Sequence, residues 1–254
     1  MSQRTIIIGD LQGMYDETIS LLNKCNVTPH DRVIFTGDLV DRGPDNDKCI
    51  DLAIKYEQLQ GSPASVLGNH EEKHLHYRNK EERGKDPNVQ VQSHIRTRMQ
   101  LKAHHYAYMR TMPLYIRLHE YNAVVVHAGV FPGRTIEEQD PHHLLHIQMI
   151  NPKEGTKTMW PSKAPHDWKF WTHFWDGPER IIFGHSVLDR PLITDKVYGI
   201  DGGACFGRNL YALILPTWEV VSVSSNKDHG HGQRGRSSEN IALVNVHGDV
   251  NTFS

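Results

Sequence analysis

Val33-Ile34-Phe35-Thr36-Gly37-Asp38-Leu39-Val40-Asp41-Arg42-Gly43 opens on β-branched and aromatic residues and runs straight into Gly-Asp. Such an apolar run reads as a buried strand whose carboxyl end delivers an aspartate into a crevice, the place where open α/β sheets hold their chemistry. Alone, the stretch also reads as a solvated turn, because Asp and Gly favour turns and an exposed Asp-Arg pair is commonplace. Repetition decides between the two. The same order, an apolar strand and then a residue that binds metal or phosphate, recurs four times. It is found in Ile6-Ile7-Ile8-Gly9-Asp10-Leu11-Gln12-Gly13, Val66-Leu67-Gly68-Asn69-His70-Glu71, Val124-Val125-Val126-His127-Ala128-Gly129 and Ile181-Ile182-Phe183-Gly184-His185-Ser186. Five such strand ends imply one shared site.

A chain of 254 residues is long enough for one large α/β domain with a sizeable core and too short for a second. That domain is expected over 1–224, with 225–254 as a linker. A formal net charge of -2 with 23% charged residues gives no global basic field, so nucleic acid is not the default partner. Cys25, Cys49 and Cys205 show no C-x-x-C spacing, which argues against a disulfide framework or thiolate zinc site and for a reducing, cytoplasmic compartment. The first apolar run is too short for a signal-peptide core or a membrane span. Among 18 histidines, His104, His105, His142, His143 and His146 read as surface or satisfied side chains. His127 and His185 differ because each follows an apolar strand directly or after one glycine.

Along the chain, Ile19, Leu21 and Leu22 among polar residues predict an amphipathic helix over 15–23, and the next helix falls over 48–59. The order βαβα implies parallel strands and right-handed crossovers. The polar stretch 73–92 reads either as a cap beside the site or as a solvated helical face. One helix is expected over 94–109, and strand 114–118 should pair with 124–126. Loops are expected over 133–165. Trp168, Phe170, Trp171, Phe174 and Trp175 form either a platform for a nucleobase or, as near-helical aromatic spacing more often does, a seal on the core. From 197 onward an antiparallel meander is expected over 197–200, 210–215 and 220–223. Residues 225–238 have little to bury and read as a mobile linker in which His229 and His231 could catch metal; 241–246 reads as a last edge strand.

Two carboxylates, two histidines and an amide oxygen suit two divalent transition metals. Asp38 is the candidate bridge, since a shared carboxylate holds two cations roughly 3.5 to 4 Å apart. Asp10 then completes one metal, and Asn69, His127 and His185 the other. A water between two cations ionises near neutral pH and can attack phosphorus. Arg42 can clamp phosphoryl oxygens with its planar fork, His70 can protonate the leaving group, and Asp41 can fix the His70 tautomer and keep it charged.

Gly9-Asp10-x-x-Gly13, Gly37-Asp38-x-Val40-Asp41-Arg42-Gly43, Gly68-Asn69-His70-Glu71, His127-Ala128-Gly129 and Gly184-His185 together resemble the signature of the calcineurin-like metallophosphoesterases. The match is to the phosphoprotein phosphatase branch, which includes protein serine/threonine phosphatases, phage-type phosphatases and symmetrical diadenosine tetraphosphatases. The later stretch Gly199-Ile200-Asp201-Gly202-Gly203-Ala204 is similar to the family's segment after its last histidine.

The resemblance implies a β-sandwich of two mixed sheets flanked by helices. It also implies two divalent metal ions, Mn first and Fe, Zn, Ni or Co as others, and direct attack by a metal-bound hydroxide. Gln12 stands where most relatives carry a histidine ligand, a variant closer to the tetraphosphatases, and is the remaining candidate ligand. The second phosphate-binding arginine of the protein phosphatases has no clear match; Arg134, Arg180 and Arg208 are candidates. His127-Ala128-Gly129-Val130 and the Trp-rich stretch favour a dinucleoside polyphosphate such as diadenosine tetraphosphate. Val40 to Gly43 and Glu71 are shared with protein phosphatases and leave a phosphoprotein substrate as the alternative. A metal-bound protein-docking scaffold without turnover is the non-enzymatic alternative, against which the intact His70, Asp41 and Arg42 stand.

Overall fold

In the computed structural model, which describes residues 3–229, 242–244 and 250–252, four of the five apolar runs become strands buried on both faces, while Val66-Leu67 forms none and only Ser65 beside it bridges to Phe35. The first half runs β1 (Thr5–Ile8), α1 (Tyr15–Lys24), β2 (Arg32–Phe35) and α2 (Asn46–Gln60). β1 and β2 pair in parallel, as the βαβα order requires. α1 sets Asp16 and Glu17 in its first turn and Lys24 in its last, each matched to the helix dipole, and buries Thr18, Leu21 and Leu22.

Three helices follow: α3 (Asn69–Glu82), α4 (Gln92–Gln100) and α5 (Ala103–Met109). The polar stretch is therefore mostly helix, and α3 buries only Glu71 and His74. The single helix expected over 94–109 is two. Leu101 and Lys102 are extended, and the Lys102 backbone N–H donates to His105 Nδ1 at 3.0 Å, so a histidine side chain caps a new helix where the old one stops.

The second half continues with β3 (Tyr115–Leu118), β4 (Ala123–Val126), α6 (Pro141–His146), β5 (Met149–Ile150), β6 (Thr158–Met159), β7 (Lys169–Phe170), β8 (Arg180–Phe183), β9 (Leu192–Ile193), β10 (Val197–Gly199), β11 (Asn209–Leu215) and β12 (Glu219–Ser224). β3 and β4 form the expected hairpin. The stretch read as loops also holds α6 and most of a small sheet ordered β6-β5-β7.

Two mixed sheets, ordered β12-β11-β1-β2 and β3-β4-β8-β10-β9, make up the body. The period of two along each strand shows how the layers stack. Ile6, Ile8, Val33 and Phe35 share a core with residues of α1, α2 and α5, whereas Ile7 and Ile34 share one with Val125, Ile182 and Leu213. Val124, Val126, Ile181 and Phe183 face a third layer containing Trp168, Phe170 and Trp171. Burial on both faces is why these strands read as unbroken apolar runs and not as alternating ones.

The expected meander does not form as such. β10 pairs in parallel with β8, while β11 pairs with β1 and β12 in the other sheet. The turn at Gly202-Gly203 therefore carries the chain from one sheet to the other. The aromatic cluster seals the core: Trp168, Phe170 and Trp171 are buried, which removes them as a base platform. Among the described residues β13 (Ala242–Val244) pairs with β14 (Val250–Thr252) in a separate two-stranded ribbon. His231 and most of the linker over 225–238 lie outside the described residues; His229 donates its backbone N–H to the Cys205 carbonyl at 2.8 Å.

Candidate metal centre and active site

The carboxyl ends of β1 and β2 in one sheet and of β4 and β8 in the other meet at one edge of the sandwich. The turns there are strained in a consistent way. Gln12, Asp38, Asp41, Arg42 and His185 all have φ between 43° and 75°, a left-handed conformation that side-chain-bearing residues avoid unless the surroundings enforce it. Glu71 enforces much of it. Its buried carboxylate accepts the backbone N–H groups of Asp38 (2.9 Å), Leu39 (2.9 Å), Val40 (3.2 Å) and Gly68 (3.1 Å), so the first turn of α3 grips the loop after β2. Asn46 Oδ1 accepts the Asp41 N–H at 2.6 Å, and Arg96 donates to the Arg42 carbonyl at 2.8 Å. The glycines before Asp10, Asp38, Asn69 and His185 have a packing reason too: a Cβ at Gly184 would overlap Asp10 Oδ1.

Within this frame Asp38, His127 and His185 offer ligand atoms within 4.8 Å of one another. His127 Nδ1 donates to the Thr36 carbonyl at 2.8 Å, which leaves Nε2 as a lone pair. That lone pair lies 2.9 Å from Asn69 Oδ1 and 3.4 Å from Asp38 Oδ1. His185 Nδ1 also lies 2.9 Å from Asn69 Oδ1, and its buried Nε2 has no hydrogen-bond partner. Lone pairs facing one another in a buried site are an arrangement that a cation satisfies. Burial, with His127 beside it, holds His185 well below its ordinary pKa, and burial lowers His127 as well. Both imidazoles are thus neutral, the form that ligates metal.

Asp10 accepts from Thr36 Oγ1 and from the His185 N–H, each at 2.9 Å. Burial and the nearby charges of Asp201 and Asp38 push its pKa well above the carboxylate range. Asp201, on the segment that crosses between sheets, is raised to about 6, mainly by burial. Several carboxylates crowded together with no ion pair to a lysine or arginine among the described residues fit the donor set of hard divalent cations.

Next to this cluster stands a second one around Asp41. His70 Nδ1 lies 2.6 Å from Asp41 Oδ2 and His74 Nε2 2.8 Å from Oδ1; a spacing of four on α3 sets both rings on one face. Thr97 donates at 2.6 Å, and His94 Nε2 is 3.3 Å away. Burial favours neutral Asp41, but the hydrogen bonds from His70 and His74 overcome it and hold the carboxylate well below its ordinary pKa. Burial would also lower His70; the charge of Asp38 and the bond to Asp41 outweigh it and raise the ring. His70 Nε2 faces Asp38 Oδ2 at 3.7 Å. Arg42 stacks its guanidinium on Phe206 at 4.8 Å and forms no ion pair among the described residues.

The structure thus brings together Asp10, Asp38, Asn69, His127, His185, His70, Asp41 and Arg42. Gln12 Oε1 accepts the Cys205 thiol at 2.6 Å and keeps a second lone pair on that oxygen. Burial pushes the Cys205 pKa up, so the thiol stays a donor. Of the arginine candidates, Arg180 lies at the opposite end of β8, bonded to the Tyr121 carbonyl, and Arg134 lies over Phe131. The charge of Arg208 is felt at Asp201. Sequence reasoning missed Thr36, His74, His94, Thr97 and Asp201 as parts of the site. The His70-x-x-x-His74 spacing was a signal for one, and Ile200-Asp201 directly after β10 repeated the strand-then-ligand order for another.

A site at the strand ends of a two-sheet sandwich, with clustered carboxylates and neutral histidines beside a charged His-Asp pair, defines a metal-assisted phosphoesterase. The chain belongs to the calcineurin-like phosphoesterase family, whose model matches residues 3–215. It is a hydrolase acting on phosphate ester or anhydride bonds, in a family that works through a dinuclear divalent metal centre. It is similar to the asymmetrical bis(5'-nucleosyl)-tetraphosphatase PrpE of Bacillus velezensis, with 28% identity over 88% of this chain and 97% of the relative. PrpE of Bacillus subtilis is 28% identical, over 87% of this chain and 94% of the relative. A crystal structure described as a candidate diadenosine tetraphosphatase superposes with a TM-score of 0.75 at 26% identity, covering 89% of this chain and 95% of the other. A serine/threonine phosphatase of Saccharomyces cerevisiae shares the fold, with a TM-score of 0.57 at 14% identity, covering 89% of this chain and 80% of the other. No helix among the described residues is long and apolar enough to cross a membrane.

Proposed function

We propose that the chain hydrolyses dinucleoside tetraphosphates off-centre, as the names of its relatives describe for those proteins, and that it does so in the cytoplasm. The observation that carries the chemistry is the convergence of the Asp38, Asn69, His127 and His185 donor atoms beside His70 and Asp41. Asp10 and Asp38 would hold one divalent ion and Asp38, Asn69, His127 and His185 the other, with Mn²⁺ suited to this oxygen-rich set. When bound, such ions activate water and neutralise phosphoryl charge.

The chain's own residues do the rest. Arg42, braced by Phe206 below and by Arg96 on its carbonyl, presents its fork to the phosphoryl oxygens. Asp41 accepts a hydrogen bond from His70 Nδ1–H, which aims Nε2 at the cleft as the donor to the departing oxygen. His74 and Thr97 hold Asp41 so that it neither rotates nor takes up the proton itself. Glu71 fixes the backbone from Asp38 to Val40 and so the spacing between the two clusters.

The test offers Mn²⁺, diadenosine tetraphosphate and a phosphoserine peptide side by side. The expected result is turnover of the dinucleotide to one mononucleotide and one nucleoside triphosphate. Equal nucleoside diphosphates would indicate central cleavage, faster turnover of the peptide a protein phosphatase, and no turnover of either a scaffold.

A further inference from the structure

We propose that Trp160 is the stacking platform for a nucleobase of the substrate, an inference that rests on the nucleotide reading of the site. Trp168, Trp171 and Trp175 are buried, but Trp160 is 51% exposed and is the one aromatic residue among the large exposed apolar side chains of the described residues. An indole left in water has no share in the core, and this one is not placed at random. It follows β6, its carbonyl is fixed by the Lys163 N–H at 2.9 Å, and its ring centre stands 5.7 Å from that of His185 with 43° between planes.

The other aromatic ring of this lobe beside His185 is already engaged. His146 stands edge-on to it at 6.4 Å, stacks on His142 at 4.7 Å and bonds Glu72 at 2.9 Å. The indole is therefore the open aromatic face beside the centre that handles phosphate. Lys157 and Lys163, three residues to either side in sequence, are exposed and make no ion pair among the described residues, which leaves their charges available to a polyphosphate. An indole stacks on any base with little sequence preference, so the expected ligand class is nucleoside phosphates in general.

The experiment compares the full chain with Trp160→Ala and Trp160→Phe, with Mn²⁺ present. Two ratios are read: kcat/KM for diadenosine tetraphosphate over that for inorganic tetraphosphate, and the Kd for AMP over that for inorganic phosphate. With Ala the first ratio falls about ten-fold and the second rises about ten-fold, and Phe restores most of both. Equal losses on base-bearing and base-free ligands mean that Trp160 only braces His185 and overturn the proposal. Unchanged ratios in a chain that hydrolyses the dinucleotide overturn it too, while leaving the proposed function standing. If the unmodified chain does not hydrolyse the dinucleotide but binds AMP through Trp160, the substrate reading falls and the nucleotide subsite stands.

Discussion

The two ends of strands β1 and β2 treat charge in opposite ways. At the amino ends Arg4 and Asp31 form a two-pronged pair, Nε to Oδ1 at 3.0 Å and Nη2 to Oδ2 at 2.7 Å, and Asp31 also accepts the Thr28 N–H at 2.7 Å. At the carboxyl ends Asp10 and Asp38 are buried with histidines and other carboxylates for neighbours and no arginine or lysine partner among the described residues. Burying a charge without a counter-ion is costly, so a fold that pairs one end of a strand and leaves the other end unpaired keeps the second for a ligand.

The contrast breaks first at Asp38. Asp38→Asn keeps the shape and removes the charge, so metal content should drop and turnover fall by more than about 100-fold, the upper range for losing only an outer-shell partner of a ligand. Elemental analysis with circular dichroism checks this. Two tightly held metals and near-normal turnover would remove Asp38 from its bridging role.

The next effect belongs to His70. His70→Asn should slow substrates with poor leaving groups by about 10²–10⁴-fold and activated aryl phosphates less, since a general acid matters in proportion to the leaving group's need for a proton. Equal losses on both would point to phosphate binding and not proton transfer.

Glu71 joins the two halves of the comparison, for it is a buried carboxyl, its pKa pushed up to about 8 by burial and the charge of Asp38, and a backbone anchor. Glu71→Gln turns an amide NH₂ toward backbone donors and should cost about 3 kcal/mol in urea unfolding, with activity falling alongside. A fully stable variant would show that the strained turn after β2 holds itself.

The smallest effect is at the paired end. Burial raises the Asp31 pKa, but the Arg4 and Thr28 hydrogen bonds more than reverse it, so the folded value lies below 3.8. A depressed carboxylate stabilises the fold above its unfolded pKa and loses that contribution as pH falls through the folded value. Asp31→Asn should therefore cost about 1 kcal/mol at pH 7, with turnover retained, and the gap to the parent should close below about pH 4. A gap that persists in acid would assign the loss to shape, not charge.

Most of the site was legible because its residues obey a local rule: an apolar run, a tight turn, a ligand. The fold was legible wherever order along the chain equals neighbourhood in space, as in β1-α1-β2. It failed at 197–223, where three apolar runs and two turns look alike whether or not the chain changes sheets. For Gln12, sequence shows an amide two residues after Asp10 but not the Cys205 thiol that donates to it. The exposure of Trp160 was not legible in the stretch read as loops, since exposure is a property of packing that composition does not record. His94 and Thr97 reach Asp41 from α4, and a side chain's direction across a helix interface is set by tertiary contact.

β1 is bonded on one side to β2 and on the other to β11, Thr5 against Leu215 and Ile8 against Ala212. In time, this means that during synthesis Asp10 waits on an unfinished sheet until nearly all of the catalytic body has left the ribosome, and His185 and Asp201 arrive only shortly before. Pairing so distant along the chain closes late. A nascent or truncated chain carries the early carboxylates without the late histidine, so hydrolytic competence arrives in one step, once the strand order is complete.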